Sequence, residues 1–393
     1  MFDLAAVQSA IRQFGFDGWL LYDFRGLNVL ARRVVQLPPE QMLSRRWFYF
    51  IPAKGEPRKL NHRIEPHALD HLPGTSTTYL KWQSLEAGVG DLVKGCKTIA
   101  MEYVPRNANP YVSRVDAGTI ELVKSFGIDI APSGDLIQMF EACWDDDQWA
   151  MHLEAAKHTR SAFDVAFGLI AARTKDGGSV HELEVQKAIL DHFSKHGMTC
   201  DHPPIVGVGP HSGDPHYEPR PGDAGLIRQG QFVLVDLWAK LAKPRAVYSD
   251  LTRVGFVGDS VPVQNSRVFD IVAAARDAGI RKVRDAYAKK ESLQGWQVDD
   301  ATRQVIEAAG YGDYFIHRTG HSIGEETHGN GANMDNLETR EERRVLPRSC
   351  FSIEPGIYLP EFGVRSEVNV YIDGSGSVHV TGGEPQTEVL RIV

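Results

Sequence analysis

Short apolar runs bounded by turn residues alternate with helical spacing in the first third of the chain. These runs are DGWLLYD at 17–23, RWFYFIP at 46–52 and KTIAMEYVP at 97–105. Runs of this length and composition are typical of buried strands. Because helical stretches lie between them, the pattern predicts an α/β domain over residues 1–145.

The pattern changes near residue 143, where three aspartates precede a long run with apolar residues at helical spacing. Acidic residues are favoured in the first turn of a helix, so we predict a long helix over 143–173. This helix is expected to cross into a second domain, 146–393. Ser179 and Glu182 have the spacing of a capping box for the next helix. Further helices are predicted near 264–289 and 297–309.

Two segments of the second half share an unusual pattern of carboxylates. Each has an apolar strand that ends at an acid, a turn, and a returning strand with a second acid. Asp236 and Asp250 lie 14 residues apart in the first segment, and Glu354 and Glu367 lie 13 apart in the second. Positions at matching distances from a hairpin turn face each other, so each pair is expected to lie close together.

Four carboxylates on apolar strands repel one another and lose hydration free energy. Divalent cations would compensate for both effects, and two such ions form a template for hydrolysis. Taken singly, each acid could instead cap a turn or pair with a nearby base. Between the two segments, His317, His321 and His328 occur in a glycine-rich stretch. Imidazole is both a metal ligand and a proton carrier near neutral pH.

Composition narrows the class of protein. The net charge of −8 argues against nucleic-acid binding, and no apolar run approaches the length of a membrane span. The four cysteines form no CxxC pair, and the first residues lack the pattern of a signal peptide. We therefore expect a cytoplasmic protein that binds neither nucleic acid nor membrane.

The ordered set Asp236, Asp250, His321, Glu354 and Glu367 resembles the five metal ligands of the Xaa-Pro peptidases, the prolidase and aminopeptidase P group. Flanking strings extend the resemblance: DPHY at 214–217, SDLTR at 249–253, HRTGHSIGEETHG at 317–329, IEPGIY at 353–358 and GVRSE at 363–367. The resemblance covers 146–393, and residues 1–145 resemble the creatinase-type N-terminal domain more loosely. It implies an α/β (α+β) fold, with a pita-bread catalytic domain after a smaller creatinase-type domain. The connection between the two aspartates is longer than is usual in that family.

The resemblance also implies a role for each matching residue. The five ligands would hold two divalent metal ions, with Mn²⁺ favoured by the donor set and Co²⁺ or Zn²⁺ as alternatives. A metal-bridging hydroxide would attack the peptide, and Glu354 would carry a proton to the leaving imino nitrogen. His216 and His328 would hydrogen-bond the scissile carbonyl oxygen or the neighbouring carboxylate, and His317 would contact or gate the substrate.

The implied activity is hydrolysis of X-Pro bonds, which lack an amide hydrogen and need a dedicated pocket. An Xaa-Pro dipeptidase must also bind the free carboxylate of the terminal proline. Arg340 could clamp that carboxylate, although its segment also fits a solvated charge run. Arg365 would hold Glu367 or the carboxylate of the substrate.

These features favour a dipeptidase acting on proline-containing dipeptides or short peptides. An aminopeptidase P that takes longer peptides is the alternative. A creatinase-like hydrolase and a non-catalytic peptide-binding protein are disfavoured, because all five ligand positions are kept. The resemblance further implies a homodimer.

Overall fold

A six-stranded mixed sheet organises the first part of the chain. The computed structural model describes residues 2–38 and 40–393 and divides into two units, Met1–Glu141 and Ala142–Val393. The sheet of the first unit has the strand order β4-β3-β2-β1-β5-β6. Its strands are β1 (Gly18–Asp23), β2 (Trp47–Pro52), β3 (Arg58–His62), β4 (Thr75–Tyr79), β5 (Thr98–Met101) and β6 (Asp129–Pro132), and its helices are α1 (Leu4–Gln13), α2 (Val29–Val34), α3 (Trp82–Val93), α4 (Ala117–Lys124) and α5 (Gly134–Glu141).

The sheet of the first unit is covered on both faces. Along β1, Trp19 and Leu21 pack into one apolar cluster, while Leu20 and Tyr22 pack into another. Successive side chains of a strand point to opposite faces, so a strand covered on both sides is apolar without alternation. The three strands predicted from apolar runs are therefore confirmed as β1, β2 and β5.

The second unit contains longer helices and several sheets. Its helices are α6 (Asp146–Thr174), α7 (Glu182–Lys195), α8 (Val263–Lys289) and α9 (Gly295–Ala308). Its strands are β7 (Val180–His181), β8 (Met198–Thr199), β9 (Ile205–Val208), β10 (Leu226–Ile227), β11 (Phe232–Leu241), β12 (Ser249–Val257), β13 (Ser322–Ile323), β14 (Cys350–Ile353), β15 (Gly356–Tyr358), β16 (Gly363–Arg365), β17 (Val368–Ile372), β18 (Val378–Thr381) and β19 (Leu390–Ile392).

Helix α6 begins where the sequence predicts it. The Asp145 side chain accepts a hydrogen bond from Gln148 N at 2.9 Å, and the Gln148 side chain completes a capping box. The helix lies wholly within the second unit. The prediction that it crosses the boundary between the two units is therefore wrong. The capping box predicted from Ser179 and Glu182 is wrong: His181 is the N-cap of α7, and its box partner is Glu184.

Two sheets of the second unit carry the carboxylates. One has the order β19-β12-β11-β8, with β9 also paired to β11, and the other has the order β13-β14-β17-β18. Along β11, Val233 and Val235 face the cluster that includes α6 and α7, while Phe232 and Leu234 face the cluster that includes α8. The strand is thus buried on both sides, which keeps a polar side chain on it away from bulk water. No helix in the described part of the chain is long and apolar enough to cross a membrane.

Candidate metal centre and active site

The first hairpin carries two aspartates on the same face of the sheet. β11 and β12 pair antiparallel, with Asp236 opposite Thr252 and Trp238 opposite Asp250. Because facing residues of an antiparallel pair share a face, the aspartates are diagonal neighbours. The two aspartates are close together, as predicted, but diagonal and offset by two positions from a directly facing pair. The longer connection explains the difference, since β11 runs for ten residues before the turn at 242–248.

The second hairpin places its two glutamates opposite each other, as predicted. The register pairs Ile353 with Val368 on one side of them and Gly356 with Arg365 on the other. Carried across the short gap between these ladders, the same register sets Glu354 against Glu367.

Side chains on β12 and β17 tie the two hairpins together. Asn369 accepts a hydrogen bond from Asp250 N at 3.0 Å and donates one to the Asp250 carbonyl oxygen. Thr252 donates through Oγ1 to Glu367 Oε2 at 2.8 Å. These bonds join residues more than a hundred positions apart and bring the two carboxylate pairs into one cluster.

His321 enters this cluster beside a glycine that permits a close backbone approach. A Cβ on Gly320 would lie 2.0 Å from the Ser352 carbonyl oxygen, so a larger residue would push the segment away from β14. His321 Nδ1 lies 3.1 Å from the Ser322 carbonyl, to which it donates its proton. Nε2 then carries the lone pair, as in most metal-binding histidines. It lies 3.5 Å from Asp250 Oδ2 and 3.4 Å from Glu354 Oε1.

The cluster fits divalent cations on a direct structural criterion. Asp236 Oδ1, Asp250 Oδ1 and Glu367 Oε1 are buried without a hydrogen-bond partner among the described residues. Buried polar atoms are normally satisfied, so three unpaired carboxylate oxygens in one place need a compensating ion. Ligand atoms of Asp250, His321 and Glu367 all lie within 4.8 Å of one another.

The electrostatics of the cluster agree with this fit. Burial raises the pKa of Asp250, and the charge of Asp236 raises it further. Burial also raises the pKa of Glu367, with added repulsion from Asp250 and Glu354. Burial lowers the pKa of His321 and favours the neutral ring that ligates metals. Without metal, the raised pKa values of Asp250 and Glu367 mean that these carboxyl groups hold protons more readily than exposed ones.

Arg365 is buried in the cluster and contacts Asp236 and Thr252. It is 3% exposed, and its Nη2 donates to Asp236 Oδ2 at 2.5 Å. Its Nε donates to Thr252 Oγ1 at 3.2 Å, and Thr252 in turn holds Glu367. Arg365 thus reaches Glu367 through Thr252, and its expected contact with the substrate carboxylate stays a prediction.

His317 lies at the end of a hydrogen-bond chain from the metal cluster. Arg365 Nη1 donates to Tyr358 Oη at 2.7 Å, and Tyr358 Oη lies 2.7 Å from His317 Nε2. His317 Nδ1 lies 2.7 Å from the Arg318 carbonyl oxygen. Burial and the nearby Arg365 lower the pKa of His317 to about 3. The neutral ring therefore donates to the Arg318 carbonyl and accepts from Tyr358, which leaves neither nitrogen for direct substrate contact.

The ring of His328 lies beside that of His321, tilted by 58°. Its ring centroid lies 4.2 Å from that of His321. Positive charge on His321 and burial lower the pKa of His328 to about 2, so its ring is neutral near pH 7. Its pKa also responds to charges on Arg318 and His216, which brings both residues into the same electrostatic environment.

His216 lies on an exposed loop that Glu182 holds in place. The fully buried carboxylate of Glu182 accepts hydrogen bonds from Val208 N at 2.8 Å, Gly225 N at 2.5 Å and Tyr217 Oη at 2.7 Å. His211 Nδ1 lies 2.9 Å from the same carboxylate. This loop sets His216 near His317, whose pKa its charge also affects.

Arg340 is not among the residues brought together here. Its side chain is 63% exposed, with Nε 3.4 Å from Glu342 and its guanidinium over the Trp296 ring at 4.9 Å. Nearby Arg343 is buried in a two-bond pair with Glu341. Arg340 therefore lies in a surface run of charged residues, next to a buried ion pair. Its contacts do not support the predicted role at the substrate carboxylate.

Four residues in or around the cluster were not predicted from the sequence: Thr252, Tyr358, Arg318 and Glu182. The first three lie inside the strings SDLTR, IEPGIY and HRTGH, next to residues that were assigned. Position beside a ligand was the available signal, but only the fold shows which side chains point inward. Glu182 carried no local signal, because its partners lie 26 to 43 residues away.

Comparison with known proteins gives a consistent result. The model of metallopeptidase family M24 matches residues 150–374. A Bacillus subtilis protein named "Putative dipeptidase YkvY" is 29% identical over 309 residues, which cover 76% of this chain and 79% of that one. Dipeptidase PepE from Mycobacterium ulcerans superposes with a TM-score of 0.66 at 22% identity, over 99% of this chain and 96% of that chain. The X-Pro aminopeptidase from Thermotoga maritima MSB8 gives a TM-score of 0.56 at 20% identity, over 97% and 99%.

These structural likenesses establish a shared fold, the pita-bread architecture predicted for the second half. The family implies divalent metal ions and peptide substrates, in agreement with the unpaired carboxylate oxygens of the cluster. The resemblance to Xaa-Pro peptidases is confirmed, and the chain belongs to metallopeptidase family M24.

Proposed function

We propose that the protein is an Xaa-Pro dipeptidase in which two divalent metal ions are held by Asp236, Asp250, His321, Glu354 and Glu367. The observation that carries the proposal is the set of three buried, unpaired carboxylate oxygens of Asp236, Asp250 and Glu367, the last two grouped with the His321 imidazole. Without bound cations, the unpaired buried oxygens would lower the stability of the folded protein.

The donor set favours Mn²⁺. Four carboxylates and one imidazole form a largely hard, oxygen-rich site, for which Co²⁺ and Zn²⁺ are the alternatives. When bound, two such ions supply Lewis acidity and activate a water molecule for attack on the amide.

Glu354 is suited to move a proton during the reaction. Its Oε1 accepts a hydrogen bond from Ser352 Oγ at 3.1 Å, and 15% of its side chain is exposed. Burial raises its pKa, so the carboxylate can take a proton from the attacking water. It then delivers this proton to the imino nitrogen of the departing proline.

His328 and His216 would act on the scissile carbonyl. His328 is neutral at pH 7 and next to the ligand His321, so one of its ring nitrogens can donate to the carbonyl oxygen as negative charge develops. His216 approaches from the exposed loop anchored by Glu182, where it can move with the incoming peptide. Arg365 and Tyr358 hold Asp236 and His317 in place behind them.

A dipeptidase also needs a cation for the carboxylate of the terminal proline. Arg365 is fully engaged with protein groups, and Arg340 contacts Glu342 and Trp296. Arg318 is half-buried, and its charge lowers the pKa of both His321 and His328. We assign the substrate carboxylate to Arg318 because its positive charge lies beside His321 and His328, and a guanidinium can bind a carboxylate through two hydrogen bonds.

The homodimer and the cytoplasmic location predicted from the sequence remain part of this proposal. Cys96, Cys143, Cys200 and Cys350 all carry free thiols, which fits a reducing compartment. Sedimentation at several protein concentrations tests the oligomeric state.

The substrate class is tested by giving manganese-loaded protein Ala-Pro and Ala-Pro-Ala separately, with a chelated control, and identifying products by mass spectrometry. We expect cleavage of Ala-Pro alone. Arg318→Ala should raise KM for Ala-Pro, while the surface variant Arg340→Ala leaves it unchanged. Cleavage of the tripeptide would favour an aminopeptidase P instead, and cleavage of neither peptide by metal-loaded protein would overturn the proposed activity.

A further inference from the structure

Three histidines form a second cluster on helices α6 and α7. His158 lies on α6, while His192 is in the last turn of α7 and His196 is its C-cap. One ring nitrogen from each lies within 4.8 Å of the others. The His158 and His196 ring centroids are 4.4 Å apart, and those of His192 and His196 are 4.3 Å apart.

Surrounding groups orient these rings in the manner of metal ligands. His196 Nδ1 lies 2.8 Å from the His192 carbonyl oxygen, and a proton donated there leaves Nε2 with a free lone pair. His192 Nε2 lies 2.9 Å from Ser161 Oγ. Glu154 lies one helical turn before His158, with Oε1 3.2 Å from His158 Nε2. Three imidazoles therefore meet at one place, and Glu154 orients one of them.

The spacing of the rings suits a bound cation. Three protonated imidazoles this close would repel one another, whereas three neutral rings can share one cation. The last carbonyls of α7 point toward this end of the helix, and a helix C-terminus stabilises a cation.

We propose that His158, His192 and His196 bind one divalent transition-metal ion of the zinc class and so link α6 to the C-terminal end of α7. Glu154 accepts from His158 Nε2 and orients that ring, as a carboxylate does behind many metal-binding histidines. Three imidazoles suit four-coordinate Zn²⁺, with water as the fourth ligand.

The two metal sites differ in donor type. The first is dominated by carboxylate oxygens and the second by imidazole nitrogens, so they should select different ions. Mn²⁺ should load only the carboxylate cluster, whereas Zn²⁺ should load the histidine cluster as well. This inference concerns residues outside the proposed active site and does not depend on the proposed function.

The test measures zinc bound per chain in a background that weakens the carboxylate cluster, Asp250→Asn with Glu367→Gln. His158→Gln is added to this background, and His67→Gln serves as the control because His67 is an exposed histidine of the first unit that pairs with Asp70. Metal content after equilibration in a zinc buffer and the shift of the unfolding midpoint on adding Zn²⁺ are the two readouts.

We expect His158→Gln to lose one zinc equivalent, or to bind it at least about tenfold more weakly, and to lose the zinc-induced rise in midpoint. His67→Gln should behave like the background. Identical zinc content and midpoint shift in both variants would overturn the proposal.

Replacement of His196 by Gln provides a second variant and separates a site between helices from a chelate within one helix. Loss of zinc binding in both His158→Gln and His196→Gln supports the link between α6 and α7. Loss in His196→Gln alone would mean that α7 binds zinc by itself, which contradicts the proposed site. Far-UV circular dichroism confirms that each variant is folded.

Discussion

The substitution Glu367→Gln should stabilise the metal-free protein while weakening its response to metal. Glu367 is 5% exposed, and its Oε1 has no hydrogen-bond partner. Gln keeps the shape and the acceptor for Thr252 Oγ1, and its amide hydrogens can donate to the unpaired oxygens of Asp250 or Asp236. The variant therefore removes one negative charge and also supplies a missing donor.

The size of the effect follows from the spacing of the charges. Glu367 and Asp250 offer ligand atoms within 4.8 Å of each other. At that distance and an effective dielectric constant of about 20, two negative charges repel by about 3 kcal/mol. This value is an upper limit, because carboxyls with raised pKa values hold protons instead of remaining ionised. For a unit of this size, 1 kcal/mol changes the midpoint by about 2–4 °C, so the metal-free variant should gain up to about 10 °C.

Added metal should close most of the difference in stability between the two proteins. An ion that binds only the folded state at a hundred times its Kd adds about 2.7 kcal/mol to the free energy of unfolding. The wild-type protein should show this gain with Mn²⁺, and Glu367→Gln should lose most of it because one of the proposed ligands has become neutral.

The assay is thermal unfolding of chelator-treated protein before and after addition of Mn²⁺. Glu361→Gln is the matched control, since Glu361 is an exposed glutamate in the turn of the same hairpin. It should change neither midpoint. A metal-free Glu367→Gln that is less stable than wild type, or one with an unchanged Mn²⁺ response, would refute the reasoning.

Three further predictions concern groups around the cluster. His328→Ala should keep its metal content but lose about a hundredfold in kcat, because it loses a donor to the carbonyl oxygen. Metal analysis and kinetics on the same preparation check this, and loss of metal would mean that His328 is a ligand. Burial lowers the pKa of His152 to about 4, against about 6.5 unfolded, so stability should fall by about 3 kcal/mol as the pH drops through this window. His152→Gln should flatten that loss in pH-dependent melting, and an unchanged slope would count against it. Glu182→Ala should lower the free energy of unfolding by about 1–3 kcal/mol and reduce turnover without changing metal content. The reason is that the loop of His216 loses the carboxylate that accepts hydrogen bonds from Val208 N and Tyr217 Oη. Unfolding and kinetic measurements on one preparation test both effects.

The sequence predicted the parts of the site that depend on local pattern. A carboxylate at the end of an apolar strand is conspicuous because it contradicts its surroundings, and this identified the four acids without knowledge of the fold. Glu354 and Glu367 were correctly placed opposite each other because their hairpin keeps one register. Asp236 and Asp250 were misplaced by two positions because the turn position in a long connection is not encoded by strand pattern alone.

The arginines show the limit of such reasoning. Arg365 and Arg340 looked equally able to bind a carboxylate, since a guanidinium has the same donors wherever it lies. Their roles are decided by burial and by distant partners: Arg365 binds Asp236, which is 129 residues away, whereas Arg340 remains at the surface. Thr252 was overlooked for the same reason, because its hydrogen bond to Glu367 exists only after two hairpins meet.

The most direct test of the central claim is anomalous diffraction from crystals soaked in Mn²⁺. We predict two anomalous peaks in the second unit, both within the cluster of Asp236, Asp250, His321, Glu354 and Glu367. A single peak there would contradict the binuclear centre, and ordered carboxylates with no peak would contradict the metal site itself.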